Sequence, residues 1–184
     1  MSATAPTAIA NRGRFAWHEL LTTDTAAAKA FYGSVVGWGT TDMEGGPIPY
    51  TLWTSSDVPT AGLMTLPAEA AAMGAPPHWL AYTEVPDPDA TVEQVTKLGG
   101  KVLSPAMTVP QAGRFAVLQD PFGATFGVIA SAMALQEETD PQPLEFSWHE
   151  LTTDDLGTAI SFYEAIFGWK KQSEFDMGDM GVYH

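Results

Sequence analysis

Apolar positions along this chain recur at two spacings, and the elements can be read from where one gives way to the other. Trp17 to Asp24 reads as a strand that ends at a helix cap. Within it Trp17, Glu19 and Leu21 share one face, and His18 and Leu20 the other. Beyond the cap, Ala28, Phe31, Tyr32 and Val35 fall at i, i+3, i+4 and i+7, the stripe of a helix from Thr25 to about Val35. Asp24 can accept from the free first-turn N–H groups, and Gly37 ends the helix. A second helix starts at Asp87-Pro88, carries the stripe Thr91, Val95 and Leu98, and stops at Gly99-Gly100. A third, capped by Asp154 or Asp155, carries Ala159, Phe162, Tyr163 and Ile166 and closes at Gly168. Strands are predicted near 38–43, 49–54, 60–66, 79–85, 100–104, 114–119 and 124–130. Asp120-Pro121-Phe122-Gly123 is a turn with Pro where φ is pre-set, joining the last two as a hairpin.

The pattern repeats. Phe15-Ala-Trp17-His18-Glu19-Leu20 returns as Phe146-Ser-Trp148-His149-Glu150-Leu151, an offset of 131. Phe31-Tyr32 returns as Phe162-Tyr163, and Gly37-Trp38 as Gly168-Trp169. A fainter repeat lies inside the first unit, where Trp79 to Asp87 has the same strand-to-cap grammar as Trp17 to Asp24. The expected organisation is an N-terminal tail (1–13) and a domain over 14–130 built of two strand–helix–three-strand modules, 14–66 and 79–130. A linker (131–144) and the opening of a second such domain (145–184) follow. In that opening, 145–152 is expected as a strand, to be covered by the first domain's sheet, by a second chain in a homodimer, or by the rest of a longer parent.

Composition narrows the function classes. There are 22 acidic against 8 basic residues, a net charge of -14, so nucleic acid and anionic membranes are excluded as main partners. No apolar run is long enough to span a bilayer, and Met1 to Ala10 lack the pattern of a secretion signal. With no Cys, thiolate metal sites, disulfides and Cys nucleophiles are absent, and a cytoplasmic protein is the expectation. No nucleophile elbow, phosphate loop or dinucleotide fingerprint occurs.

The paired modules, the Phe-Tyr helix and the Asp-Pro-x-Gly turn before the last strand resemble the vicinal oxygen chelate superfamily. This superfamily groups glyoxalase I, extradiol dioxygenases, and fosfomycin- and bleomycin-resistance proteins. The chain is most similar to two-domain, glyoxalase-like proteins of the mycobacterial 27–30 kDa antigen type. The residues that carry this are Trp17/Glu19, Asp24, Phe31-Tyr32, Gly37-Trp38, Trp79/Tyr82, Asp87/Asp89-Ala90, Gly99-Gly100-Lys101-Val102, Gly113-Arg114-Phe115 and Asp120-Pro121-Phe122-Gly123-Ala124-Thr125-Phe126. The resemblance implies an α+β fold whose paired βαβββ modules curl into a half-open cup with ligand inside. It leaves the reaction open, since one fold hosts many chemistries.

Catalytic members of the superfamily hold a divalent metal in the cup. The resemblance places the ligand positions seven residues before each module's helix-capping Asp and seven after the Asp of the Asp-Pro turn. Here these are Trp17, Leu80 and Gly127, with a fourth position around Gly62 to Met64, and none offers a metal donor. No metal and no cofactor are therefore expected. His18 faces away from Glu19 and reads as a hydrogen-bonded structural histidine. Glu19, among Trp17, Tyr82 and Phe115, is either a polar group of the pocket or hydrogen-bonded to backbone or Arg114. The expected ligand-binding set is Trp17, Glu19, Leu80, Tyr82, Phe115, Val117 and Gln119, with no catalytic residue assigned. Met64, Met73 and Met107 are expected to fill core, and His78 to lie in a solvated linker. The expected function is metal-independent binding of a small apolar or aromatic molecule. The alternative is a metal-dependent glyoxalase-type lyase or isomerase, or a dioxygenase.

Overall fold

The computed structural model describes residues 11–45, 48–133, 135 and 140–184. Most of the N-terminal tail and the acidic stretch around Glu137 and Glu138 lie outside the described residues.

Strand β1 (Phe15–Thr22) runs into the Asp24 cap, whose carboxylate accepts from the Ala27 N–H at 2.8 Å, and then into α1 (Thr25–Val35). Strands β2 (Gly39–Met43), β3 (Tyr50–Ser55) and β4 (Val58–Thr65) complete the first module. A short helix, α2 (Ala68–Ala72), leads to the second: β5 (His78–Glu84), α3 (Pro88–Lys97), β6 (Lys101–Val109), β7 (Gly113–Gln119) and β8 (Thr125–Ser131). After it come α4 (Leu156–Phe167) and two short strands, β9 (Phe175–Asp176) and β10 (Val182–Tyr183).

Strands β1 to β8 form one mixed sheet in the order β2-β3-β4-β1-β5-β8-β7-β6. Each module is closed by a parallel pairing, β1 with β4 and β5 with β8. The modules join through the antiparallel pair β1–β5, which sets Trp17 opposite Tyr82 and Glu19 opposite Leu80. The four innermost strands are thus the first and last of each module, and their side chains alternate between a helix-covered face and the cup.

Three apolar clusters follow from that alternation. On the helix side, Leu20, Trp38, Trp53, Ala61 and Leu63 pack with Ala28 and Tyr32 of α1. Val85, Val95, Ala116, Leu118, Phe126 and Val128 pack with Phe162, Tyr163, Ile166 and Phe167 of α4. In the cup, Leu21, Leu66, Leu80, Tyr82 and Ile129 pack with Trp17, Met64, Phe115 and Val117.

Several expectations need correction. Residues 146–153 form no strand; the repeat docks through ring contacts with β1 and through α4 instead. In α1 the stripe is only half used: Ala28 and Tyr32 face the core, whereas Phe31 and Val35 are exposed. Leu98 is likewise exposed. The 67–78 segment is no bare linker, since its helix α2 brings Ala70 against the cup, as Ala75 just beyond it also is. Met73 and Met107 are exposed, and only Met64 contributes to packing. His78 is the first residue of β5, half-buried, with its ring Nδ1 2.7 Å from the Pro76 carbonyl.

Candidate functional site

The floor of the cup is an aromatic–carboxylate network where β4, β1, β5 and β8 meet. Glu19 points inward from the centre of β1 and is 7% exposed. The Tyr82 hydroxyl donates to Glu19 Oε2 at 3.2 Å, and Tyr50 is hydrogen-bonded to the same carboxylate. The Trp17 indole N–H donates to the Tyr50 hydroxyl at 2.9 Å. Two glycines make room for the rings. Gly62, paired with Glu19 on β4, leaves the space that the Tyr50 hydroxyl takes. Gly127, paired with Tyr82 on β8, lets the Tyr82 ring lie flat on the backbone. A Cβ at either position would collide with the tyrosine.

Of the sequence-expected residues, Trp17, Leu80, Tyr82, Phe115 and Val117 come together in the cup cluster, and Glu19 is bound to Tyr82 there. Phe115 meets the Tyr82 ring edge-on at 5.8 Å. Gln119 does not join them: it sits at the hairpin end of β7 and its amide donates to the Gly123 carbonyl at 3.1 Å. Arg114 is engaged by Asp89, at 2.5 and 2.6 Å, and does not serve Glu19. Sequence reasoning missed Tyr50. The available signal was Gly62, whose missing side chain calls for a bulky neighbour on the paired strand β3. It also missed α2.

A cleft of about 290 Å³ opens beside the network, lined in part by Lys29, Asp42, Pro49, Tyr50 and Met64. A larger one, about 440 Å³, lies between the β3–β4 hairpin and the segment around Phe146. It touches none of the network and is lined by His18, Gln142 and Glu145 among others.

Burial pushes the Glu19 carboxyl above its ordinary range, and the hydroxyls of Tyr50 and Tyr82 and the charge of His78 only partly oppose this. Burial beside Glu19 likewise raises both tyrosine hydroxyls, so they stay donors. A carboxyl raised on folding favours the native state fully below its unfolded pKa. That contribution is lost as pH rises through the folded value. Glu19→Gln keeps the shape without the charge, so it is expected to raise the melting temperature at pH 8 by roughly 2–4 °C and to change it little at pH 4. A lower melting temperature at pH 8 would show that the network needs the negative charge.

The sequence profile of the Glyoxalase/Bleomycin resistance protein/Dioxygenase superfamily matches residues 14–128. The chain belongs to that superfamily. It is 37% identical over 154 residues to a Mycobacterium tuberculosis protein named "Putative glyoxylase CFP32", covering 83% of this chain and 59% of the relative. It is 33% identical over 181 residues to the anthracycline biosynthesis protein DauV of Streptomyces sp. (strain C5), covering 92% of this chain and 65% of the relative. The chain thus spans less than two thirds of the length of these relatives. Among solved structures, the Mn(II)-bound glyoxalase from Novosphingobium aromaticivorans superposes with a TM-score of 0.56 at 18% identity. The match covers 87% of this chain and 54% of that one, and it bears on the fold. No helix among the described residues is long and apolar enough to cross a membrane.

The superfamily implies a divalent metal, and the residues present do not fit one. At the convergence of the four strands the side chains are an indole, an isobutyl group, two phenols and two glycines around a single carboxylate. Metal binding by hard or borderline cations needs several oxygen or imidazole donors at one point. No group of three or more His, Asp or Glu residues is so placed among the described residues.

Proposed function

We propose that this chain binds a small apolar or aromatic molecule in the cup without a metal, with the Glu19 carboxyl as its polar anchor. The observation that carries this reading is the network itself. A buried carboxyl, held by two phenol groups, is walled by Trp17, Leu80, Tyr82 and Phe115 where catalytic relatives would place metal ligands. Apolar walls with a few convergent polar groups are what small-molecule sites use. Ala70 and Ala75 close the cup, so entry requires the exposed helix α2 to lift or the cleft beside Tyr50 to widen. An anthracycline biosynthesis protein among the relatives agrees in chemistry with a planar aromatic guest.

Titration with a dihydroxyanthraquinone, followed by quenching of Trp fluorescence, tests the reading. Binding is expected at equal strength with chelator and with added Mn²⁺, Ni²⁺ or Zn²⁺. Loss of a Trp-sized contact is worth roughly 1.5–3 kcal/mol, so Trp17→Ala should weaken binding about tenfold or more. Glu19→Gln should weaken it less, by keeping an uncharged hydrogen-bonding group. Binding that requires an added metal would instead support the glyoxalase-type lyase or dioxygenase reading. An unchanged affinity in Trp17→Ala would place the guest elsewhere.

A further inference from the structure

The duplication in the sequence reappears as a local two-fold axis between β1 and the segment that repeats it. Phe15 stacks on His149 at 3.6 Å, and the repeat of Phe15, Phe146, stacks on His18 at 3.8 Å. Trp38 donates to the Leu144 carbonyl at 2.8 Å, and its repeat, Trp169, donates to the Gly13 carbonyl at 2.7 Å. Each contact has a mate with the roles exchanged, as in an isologous interface. His18 and its repeat, His149, meet on the axis itself.

The two imidazoles meet head-on. Their Nε2 atoms are 2.6 Å apart, their centroids 4.9 Å, and their planes differ by 18°. The centroid distance is the nitrogen separation plus one ring radius on either side. Both nitrogens therefore lie on the line joining the centroids, and the in-plane Nε2 position of each ring is aimed at the other. No third His, Asp or Glu joins the pair as a metal donor among the described residues. Glu145, which lines the larger cleft with His18, is turned to the Gln142 N–H at 2.8 Å. Two imidazoles in line are a poor set for zinc, which takes four donors in a tetrahedron, or for calcium and magnesium, which take six or more oxygens. They suit a closed-shell monovalent ion of the copper group, for which two ligands in a straight line are a stable arrangement and imidazole a good donor.

The surroundings let such an ion in. Metal–imidazole bonds are about 2 Å long, so the nitrogens must part from 2.6 Å to about 4 Å. His18 is fixed in β1 opposite Ala81, but His149 stands in a segment that forms no strand. Its ring lies within 9° of parallel to Phe15 and can slide back in its own plane with the faces still in contact, toward the offset stack that aromatic rings prefer. The cleft of about 440 Å³ reaches His18 and touches none of the cup network. Burial lowers both imidazoles, so at neutral pH neither ring carries the second proton that would compete with an ion.

We propose that His18 and His149 form a linear two-coordinate site for copper(I), outside the cup and independent of the molecule bound there. On binding, the proton between the two Nε2 atoms is lost to solvent and one is gained at Nδ1 of the same ring. Two neutral imidazoles then present two lone pairs, and no net proton is released.

Silver(I) is the redox-stable probe, and its nuclei have spin one-half. One equivalent is added to the untagged 184-residue chain carrying ¹⁵N-labelled histidine. The Nε2 resonances of His18 and His149 are expected to split by coupling to one silver nucleus, and those of His78 and His184 to stay unsplit. His18→Phe and His149→Phe keep an aromatic ring on Phe146 and on Phe15. Each should lose the coupled pair while the amide resonances of α4 stay in place. Copper(I), kept reduced by ascorbate under nitrogen, should raise the melting temperature of the parent chain by several degrees and that of either variant by less than about 1 °C. Silver coupling at one of the two histidines alone, or at neither, overturns the proposal. So does a rise with Zn²⁺ as large as that with copper(I), which would mean that further donors complete a tetrahedral site.

Discussion

Phe162→Ala is expected to cost the whole chain about 3–5 kcal/mol, the range for removing a large aromatic from a closed core. The residue lies outside the segment that the superfamily profile matches, yet its ring is buried among the side chains of the second module. It meets Phe126 edge-on at 6.2 Å, in the cluster that also holds Val95, Leu118 and Val128. Without α4, that face of the second module would be open to water, so the helix is part of the first domain's core. Arg12 adds to this tie by donating to the Ala165 and Ile166 carbonyls at 2.9 and 2.8 Å. Its sequence mate gives the control. Phe31→Ala removes a ring that is mostly in solvent, and a cost of less than about 1 kcal/mol is expected. Urea unfolding followed by circular dichroism and by Trp fluorescence should give one coincident transition in each protein, displaced strongly only for Phe162→Ala. A separate early transition from the tail, or equal small losses in the two variants, would mean that α4 is an appendage.

These two phenylalanines also show what the sequence could and could not reveal. Both helices have the same stripe, and periodicity predicts both correctly as helices. Periodicity says which side of a helix is apolar; it does not say which neighbour arrives to cover it. The neighbour was legible in part, because the offset of 131 announced a duplication, but the two-fold relation between the copies exists only in space. Most strands were legible for a local reason: alternation and turn residues set them to within two residues, as the Asp120–Gly123 turn shows, whereas β6, expected over 100–104, runs on to Val109 past Pro105. The Asp120 carboxylate accepts from the Phe122 and Ala124 N–H groups at 2.9 and 2.8 Å. In the cup, strand parity placed Trp17, Glu19, Leu80, Tyr82, Phe115 and Val117 on one face. Parity also holds at Gln119, in unbroken register with Phe115 and Val117, but that residue stands at the hairpin end and its amide is used up there. Parity had no purchase on Tyr50, since the pairing of β3 with β4 had first to be known. The expected strand at 145–152 failed for the complementary reason. Its residues match those of β1, but a strand is stabilised by its neighbours, and here the repeat meets β1 through rings and not through backbone.

Acidification is expected to loosen that ring contact. Burial and the neighbouring His149 hold the His18 imidazole down from 6.5 to about 4, and burial lowers His149 as well. The geometry explains the direction. At 2.6 Å one Nε2 donates and the other accepts, so one ring must present a bare nitrogen. A second proton sets two N–H groups against each other between the stacked rings of Phe15 and Phe146. Because the folded pKa lies below the unfolded one, the native state holds fewer protons between pH 6.5 and 4. Stability therefore falls as pH drops through that window. At about 1.4 kcal/mol per pH unit, and discounted for the part of the pair in water, the loss is about 2 kcal/mol. Carboxylates titrate toward the end of the same window, so the informative quantity is a difference between proteins. His18→Phe keeps an aromatic ring on Phe146 and removes the titration. Its stability relative to the parent chain should rise steadily from pH 7 to pH 4. His149→Phe should give a smaller rise, since burial, the larger cause for His18, is left in place. Urea unfolding at pH 7, 5.5 and 4.5 measures both. Parallel pH profiles for the parent and His18→Phe would mean that the two rings part without protonation and that the two-fold contact carries no pH dependence.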